Sequence, residues 1–275
     1  MLRSPIPYCG LRRVGACLGL VMAAACGDDN DITGPPIFTP VPVVTFDQLK
    51  AALDQAVGDP PMGNGGFSLN MWATVVDRSG IVVAVVFTGE KVGDQWPGSR
   101  IISAQKANTA NNFSLDGLAL STANLFSAVQ PGGSLFGLQE ANPINEDVAF
   151  GGDAADYGTT GDFMTGKRIG GTNVFGGGFA LYDTNGNIVG GVGVSGDTSC
   201  ADHAIGWKVR FNLNLDNVPG GVADAGANDN IIYDLDADGN SASGFGHAHC
   251  IDPPGESAVA ASLPTQFPIG PAPAS

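Results

Sequence analysis

Two short segments of the sequence carry the residue types best suited to chemistry. Cys200 and His203 stand at the start of a predicted helix, and His247, His249 and Cys250 lie together further along the chain. Every histidine of the protein is therefore within three residues of one of these two cysteines. Cysteine and histidine at such spacings are typical ligands of a tetrahedral zinc ion, so zinc binding is one hypothesis for this group.

Residues 1–26 have the pattern of an export signal. Arg3, Arg12 and Arg13 precede an apolar run that ends in small residues before Cys26. The run is shorter than the roughly 20 apolar residues that a membrane-spanning helix needs. Residues 23–26 resemble the lipobox of bacterial lipoproteins, which predicts a lipidated Cys26 and a periplasmic or cell-surface protein. Cleavage at a nearby site without lipidation is the alternative.

Export changes the interpretation of the two late cysteines. An exported chain reaches an oxidising compartment, where an even pair of cysteines normally forms a disulfide. We therefore predict a bond between Cys200 and Cys250, ahead of the zinc hypothesis. This bond would join the two segments and gather the three imidazoles in one region.

The remaining chain is predicted to contain one domain. Residues 27–44 are polar and rich in proline, as in a tether, and residues 264–275 resemble a disordered tail. The part between them, 45–263, is long enough for a single domain with a hydrophobic core. The formal net charge of −15 disfavours a nucleic-acid partner, because phosphate binding needs clustered lysine and arginine. Any membrane attachment would depend on the lipid anchor.

Two hairpins dominate the predicted secondary structure. Apolar strands at 69–76 and 81–87 flank one turn, and strands at 175–182 and 188–194 flank the turn at Asn185-Gly186. Because hairpins pair strands antiparallel, we predict an α+β domain with an antiparallel sheet flanked by helices. The 81–87 run is apolar on both faces, which predicts a central strand.

Helices are predicted at 46–57, after an N-cap at Thr45, and at 99–113, 118–129 and 201–211. Residues 132–173 and 215–250 are predicted to be an inserted loop and an extension with little regular structure.

Three motifs occur in the order found in a known family. The first hairpin has Val75, Asp77 and Gly80 in a VxDxxG turn, and the following helix has Lys106 and Thr109 in KAxTA. The second hairpin matches GGxxxxDxxGxxVGxxGVSG from position 177 to 196, and the acidic Asp202 follows. Over residues 45–212 the chain thus resembles the GlcG/HbpS-like haem-binding family. It departs from the family at Phe179-Ala180, where an aliphatic residue and proline are usual, and in its inserted loop and extension.

The resemblance implies a fold and a class of ligand. The family has a profilin- or roadblock-like layout, its members tend to form homo-oligomers, and several bind haem, another tetrapyrrole or iron. The expected function is therefore an exported binding protein that sequesters or relays such a ligand. A haem-degrading enzyme is one alternative, so catalytic activity stays open. The other is a non-catalytic periplasmic domain stabilised by the disulfide and by Ca²⁺.

Candidate ligand-binding residues follow from this expectation. A haem site needs one axial imidazole in an apolar slot, which His203, His247 or His249 could supply. Lys106 and Thr109 share a helix face and could meet a propionate group at the pocket rim. The alternative is a solvated lysine and a threonine bonded to a local backbone carbonyl.

Two further motifs resemble known binding sites. Asp234, Asp236 and Asp238 precede a glycine as in the first half of a Ca²⁺ loop, although Phe245 replaces the acid at position 12. An ordinary Asp-rich surface turn is the alternative. Residues 191–196 satisfy GxGxxG, but their strand belongs to a hairpin and no βαβ unit follows. Alternating glycine and valine instead predicts a strand with one face crowded by a helix.

Overall fold

Four antiparallel strands form the centre of the fold. They lie in the order β2-β1-β4-β3, so each sequence hairpin is a pair and β1 joins the two pairs through β4. The predicted α+β class is confirmed. The computed structural model of the protein describes residues 43–58 and 63–270. The predicted signal, Cys26 and most of the tether lie outside the described residues. The strands are β1 (Trp72–Asp77), β2 (Val82–Phe87), β3 (Gly178–Tyr182) and β4 (Ile188–Ser195).

Helices cover both faces of this sheet. Two pack on one face as α1 (Phe46–Gly58) and α4 (Ser199–Asn212), and α2 (Ser99–Phe113) covers the other. A further helix, α5 (Pro253–Gln266), packs against α4. The predicted cap of α1 is present, because the Thr45 hydroxyl accepts a hydrogen bond from the Gln48 amide. A four-residue helix, α3 (Glu146–Ala149), lies in the predicted insertion. Within the described part of the chain, the helices all fall short of the length and apolarity that crossing a membrane requires.

Side chains of the strands alternate between two cores. On the α1–α4 side, Val75, Val192 and Phe179 pack with Leu53 and Trp207. The opposite side is filled by the second core, in which Trp72 stacks on Phe87 at 4.3 Å between ring centroids. This alternation is the expected result of the two-residue period of a strand. It fixes which strand residues contact α2.

Helix α2 packs unusually close to β3 and β4 because the strand residues beneath it are glycines. A Cβ added at Gly193 would collide with the backbone oxygen of Ser103, and one at Gly191 with that of Ala107. The predicted crowding of a Gly/Val strand by a helix is therefore confirmed. The three pairings among β1–β4 are antiparallel, which agrees with the rejection of a dinucleotide-binding unit.

The 132–173 region packs against the sheet. Its Met164 and Ile169 are buried in the second core, and Asp162 forms a buried ion pair with Arg100 of α2 at 2.5 Å. The backbone amide of Val82 also donates to Lys167. The prediction that 81–87 is a central strand was wrong, since β2 lies at the sheet edge. The insertion covers this edge strand, which explains why both of its faces are apolar.

The C-terminal extension attaches in the same way. Arg210 of α4 forms a buried bidentate pair with Asp229, with both N–O distances at 2.8 Å. The predicted disulfide between Cys200 and Cys250 is present and holds the segment before α5 against α4. These links fix an extension that has little regular secondary structure.

Two helical segments differ from the predictions. The segment 118–129 contains two short 3-10 turns, Thr122–Leu125 and Ser127–Val129, in place of one helix. Helix α5 was not predicted, although Asp252 followed by two prolines is a typical helix start. It extends into the predicted tail, where the Trp207 indole donates to the carbonyl of Phe267.

Close packing of α2 leads to a stability prediction. Gly193→Ala should lower the free energy of unfolding by about 2 kcal/mol or more, because overpacking a rigid interior displaces backbone. Urea denaturation measures the change. Gly117→Ala is the matched control, since a methyl group there meets nothing within 4 Å. Equal losses for the two variants would contradict the role assigned to Gly193.

The disulfide leads to a second prediction. The bond joins two cysteines that are 50 residues apart in the sequence and so closes a long loop. Cys200→Ser with Cys250→Ser should therefore reduce the free energy of unfolding by about 3–4 kcal/mol, mainly because the unfolded chain gains freedom. Denaturation in the presence of a metal chelator measures this loss. Cys26→Ser is the control and should leave the free energy of unfolding unchanged. An unaltered midpoint in the double variant would show that the bond is not a stabilising link.

Candidate functional site

A groove of about 330 Å³ lies where the first turns of α2 and α4 meet the end of β4. Trp96, Ile102 and Phe175 form its apolar walls, and Lys106 and Asp202 also line it. Trp96 is 54% exposed and Phe175 is 41% exposed. Large aromatic side chains that remain exposed around a concave surface are typical of a binding site.

The groove contains a buried ion pair. The Lys106 amine lies 2.7 Å from a carboxylate oxygen of Asp202 and 3.2 Å from the carbonyl of Val194. The second carboxylate oxygen of Asp202 accepts a hydrogen bond from the Asp197 amide at 2.9 Å. Both members of the pair are almost completely buried. The pair therefore connects α2 on one face of the sheet to α4 on the other.

Burial also changes the protonation of this site. Removal from water raises the pKa of Asp202 to about 6, although the charge of Lys106 opposes the shift. Above this pH the carboxylate compensates the lysine. Below it, a neutral Asp202 leaves the positive charge of Lys106 without its counter-ion. The charge presented to a ligand in the groove is thus sensitive to mild acid.

Thr109 is placed differently from Lys106. Its hydroxyl donates to the carbonyl of Gln105 at 2.7 Å and accepts from the amide of Asn173 at 2.9 Å. It is fully buried and does not line the groove. Of the two helix residues selected from the sequence, only Lys106 lines the groove.

His203 is fully buried and holds the extension in place. Its Nε2 accepts from the Ile231 amide at 3.0 Å and lies 3.1 Å from the Asn230 side-chain oxygen. Burial lowers the pKa of His203 to about 3, so the ring is neutral at physiological pH. Among the residues that the structure describes, Nδ1 of this ring has no hydrogen-bond partner.

The other two histidines have contrasting environments. His247 is buried, with Nδ1 at 2.6 Å from the Ala248 carbonyl, and burial lowers its pKa to about 4. The exposed His249 stacks on Tyr233 with 4.0 Å between ring centroids, and its Nδ1 lies 3.0 Å from Glu256. The three rings are gathered near the disulfide, but none of them lines the groove. Ligation of haem iron by a histidine stays a prediction.

The Asp-rich loop gives no support to the predicted Ca²⁺ site. The Asp234 carboxylate accepts from the Ser241 hydroxyl and the Ser243 amide, and Asp236 accepts from the amides of Asp238 and Asn240. The loop thus satisfies these carboxylates by itself, as in an ordinary surface turn. Across the described residues, the potential metal ligands that converge are at the disulfide instead.

The sequence interpretation missed the aromatic walls of the groove. Trp96 occurs in a polar loop without apolar periodicity, so no predicted core position could bury it. That mismatch was a usable signal. Phe175 gave no comparable signal, because it is the first residue of the strand predicted at 175–182.

Two solved structures provide comparisons for the chain. The Klebsiella pneumoniae protein ORFY, of family DUF336, is 24% identical, with 62% of this chain and 90% of that chain covered and a TM-score of 0.41. A PduOC:heme complex is 22% identical, with 62% and 91% covered and a TM-score of 0.42. No curated protein shows significant similarity.

A family model also matches the chain. The model described as haem degrading protein HbpS-like matches residues 67–209, more than half of the chain. All residues that line the groove fall within this match, whereas His247 and His249 lie outside it. The hairpin and helix motifs had indicated this family. The chain belongs to the HbpS-like family.

Proposed function

We propose that the protein binds haem or a related tetrapyrrole in the groove between α2 and α4, as an exported binding protein. The observation that carries the proposal is a groove with exposed aromatic walls over the buried Lys106–Asp202 pair, built from family-matched residues. Export rests on the predicted signal at 1–26.

The groove suits the edge of a planar aromatic ligand. Its volume of about 330 Å³ is at the lower end of the roughly 300–1,000 Å³ found for small-molecule pockets. A macrocycle would therefore enter by one edge and leave the rest outside. Trp96 and Phe175 offer ring faces for stacking, and covering them removes apolar surface from water.

Lys106 provides the polar contact. Its amine has three N–H groups, and the protein accepts two of them through Asp202 and Val194. The third can donate to a propionate carboxylate. Asp202 compensates the lysine charge at neutral pH, so this contact strengthens when Asp202 takes up a proton.

A titration with haem tests the location of the site. Trp96→Ala should weaken haem binding about tenfold, as expected for an aromatic anchor. The shift of the Soret absorbance band during titration measures affinity. Phe136→Ala is the matched control, since this phenylalanine is 66% exposed outside the groove.

His249→Ala separates the groove from the disulfide region. This histidine is exposed, so its removal should leave both folding and haem affinity unchanged. A loss of binding in His249→Ala with normal binding in Trp96→Ala would refute the groove and favour histidine ligation.

Haem affinity should also depend on pH. As the pH falls through about 6, Asp202 becomes neutral and affinity should rise about tenfold, the equivalent of a hydrogen bond to a charged group. Asp202→Asn should bind with the higher affinity on both sides of this pH. The titration of haem itself affects the wild type and Asp202→Asn alike. The ratio of their two dissociation constants therefore isolates the effect of Asp202 protonation. A ratio that stays constant with pH would exclude this coupling.

Haem degradation is a second candidate function because the matched family is described by that activity. The two functions differ when a reductant is added to the haem-loaded protein in air. Pure binding preserves the Soret band, whereas degradation bleaches it and releases iron. The same Trp96→Ala variant should slow bleaching if the groove holds the reacting haem.

A further inference from the structure

Potential metal ligands converge at the disulfide, apart from the groove. The sulfurs of Cys200 and Cys250 and a carboxylate oxygen of Glu256 lie within 4.8 Å of one another. The Nδ1 atom of His249 is 3.0 Å from the Glu256 carboxylate. The two sulfurs and one carboxylate thus converge, and the His249 imidazole adjoins them through its contact with Glu256.

The spacing of these atoms fits a tetrahedral metal ion. With bond lengths of about 2.0–2.2 Å to nitrogen and oxygen, two zinc ligands at a tetrahedral angle are about 3.4 Å apart. The His249–Glu256 distance of 3.0 Å is close to this value. The two sulfurs need a separation of about 3.8 Å at zinc, which the closed disulfide prevents. Reduction removes that restraint.

The non-sulfur ligands are held in place. Glu256 accepts hydrogen bonds from the backbone amides of Cys250, Ile251 and Asp252, which fix its carboxylate at the start of α5. Stacking on Tyr233 orients the ring of His249. Such second contacts preorganise metal ligands and raise their affinity. His249 is also exposed, so an ion can enter from solvent.

We propose that reduction of the disulfide creates a zinc site formed by Cys200, Cys250, His249 and Glu256. A dithiol reductant supplies two electrons and two protons to the S–S bond and is itself oxidised to a disulfide. Zinc then displaces one proton from each thiol and occupies the position of the His249–Glu256 hydrogen bond. The oxidised protein has no free thiolate and does not hold the ion. The site shares no ligand residue with the groove.

The test uses the full chain with Cys9→Ser, Cys17→Ser and Cys26→Ser, so that only the two disulfide cysteines remain. Protein reduced anaerobically with a dithiol is incubated with zinc and freed of excess ion, and bound zinc is measured by mass spectrometry. About one ion per chain should remain on the reduced protein and essentially none on the oxidised protein. Absence of zinc from the reduced protein, or equal zinc on both forms, would overturn the proposal.

Variants distinguish a built site from two loose thiols. Glu256→Gln and His249→Ala should each weaken zinc binding at least about tenfold. Asp252→Asn, on the same segment but exposed, should have no effect. Cobalt in place of zinc should give a thiolate charge-transfer band with the intensity of two sulfurs. A reduced chain that has unfolded would bind cobalt equally well without Glu256 or His249, so unchanged affinity in both variants counts against the site.

Discussion

The close approach of α2 to the sheet is the constraint on which the rest of the structure depends. Glycines at 178, 191 and 193 allow the helix backbone to contact the strands directly. Lys106 can then extend past the end of β4 to Asp202 on the helix of the opposite face. Side chains on those strand positions would move α2 outward and separate the ion pair. The groove exists because the two helix starts are held at this distance.

Buried ion pairs connect the irregular parts of the chain to this core. Arg100–Asp162 attaches the insertion to α2, and Arg210–Asp229 attaches the extension to α4. Breaking such a pair on one side leaves a buried charge without compensation, which is strongly unfavourable. The main effect of these pairs is therefore to fix the position of each segment. Their net contribution to stability is the smaller effect. They explain how two regions with little secondary structure occupy defined positions.

The disulfide region shows how one link serves several purposes. It joins α4 to the segment before α5, and Glu256 anchors the same segment through backbone amides. His203 and His247 make internal hydrogen bonds within this junction, while His249 stays at the surface. Ser199 lines the groove, and its hydroxyl lies 3.4 Å from the Cys250 sulfur. The groove and the disulfide are therefore neighbours at the start of α4.

The two hairpins, the antiparallel α+β class, the glycine-crowded face and the family could all be predicted from the sequence. These follow from local patterns, because turn residues, strand period and Gly/Val alternation act between near neighbours. The disulfide could be predicted as well, since the predicted export signal contains the other three cysteines and leaves one pairing. The contact of Lys106 with Asp202 could be seen only in the tertiary structure. The same holds for the hydrogen bonds of the Thr109 hydroxyl to Gln105 and Asn173. Likewise, the burial of His203 and the position of Trp96 at a groove depend on contacts between segments far apart in the chain, which patterns among near neighbours do not record.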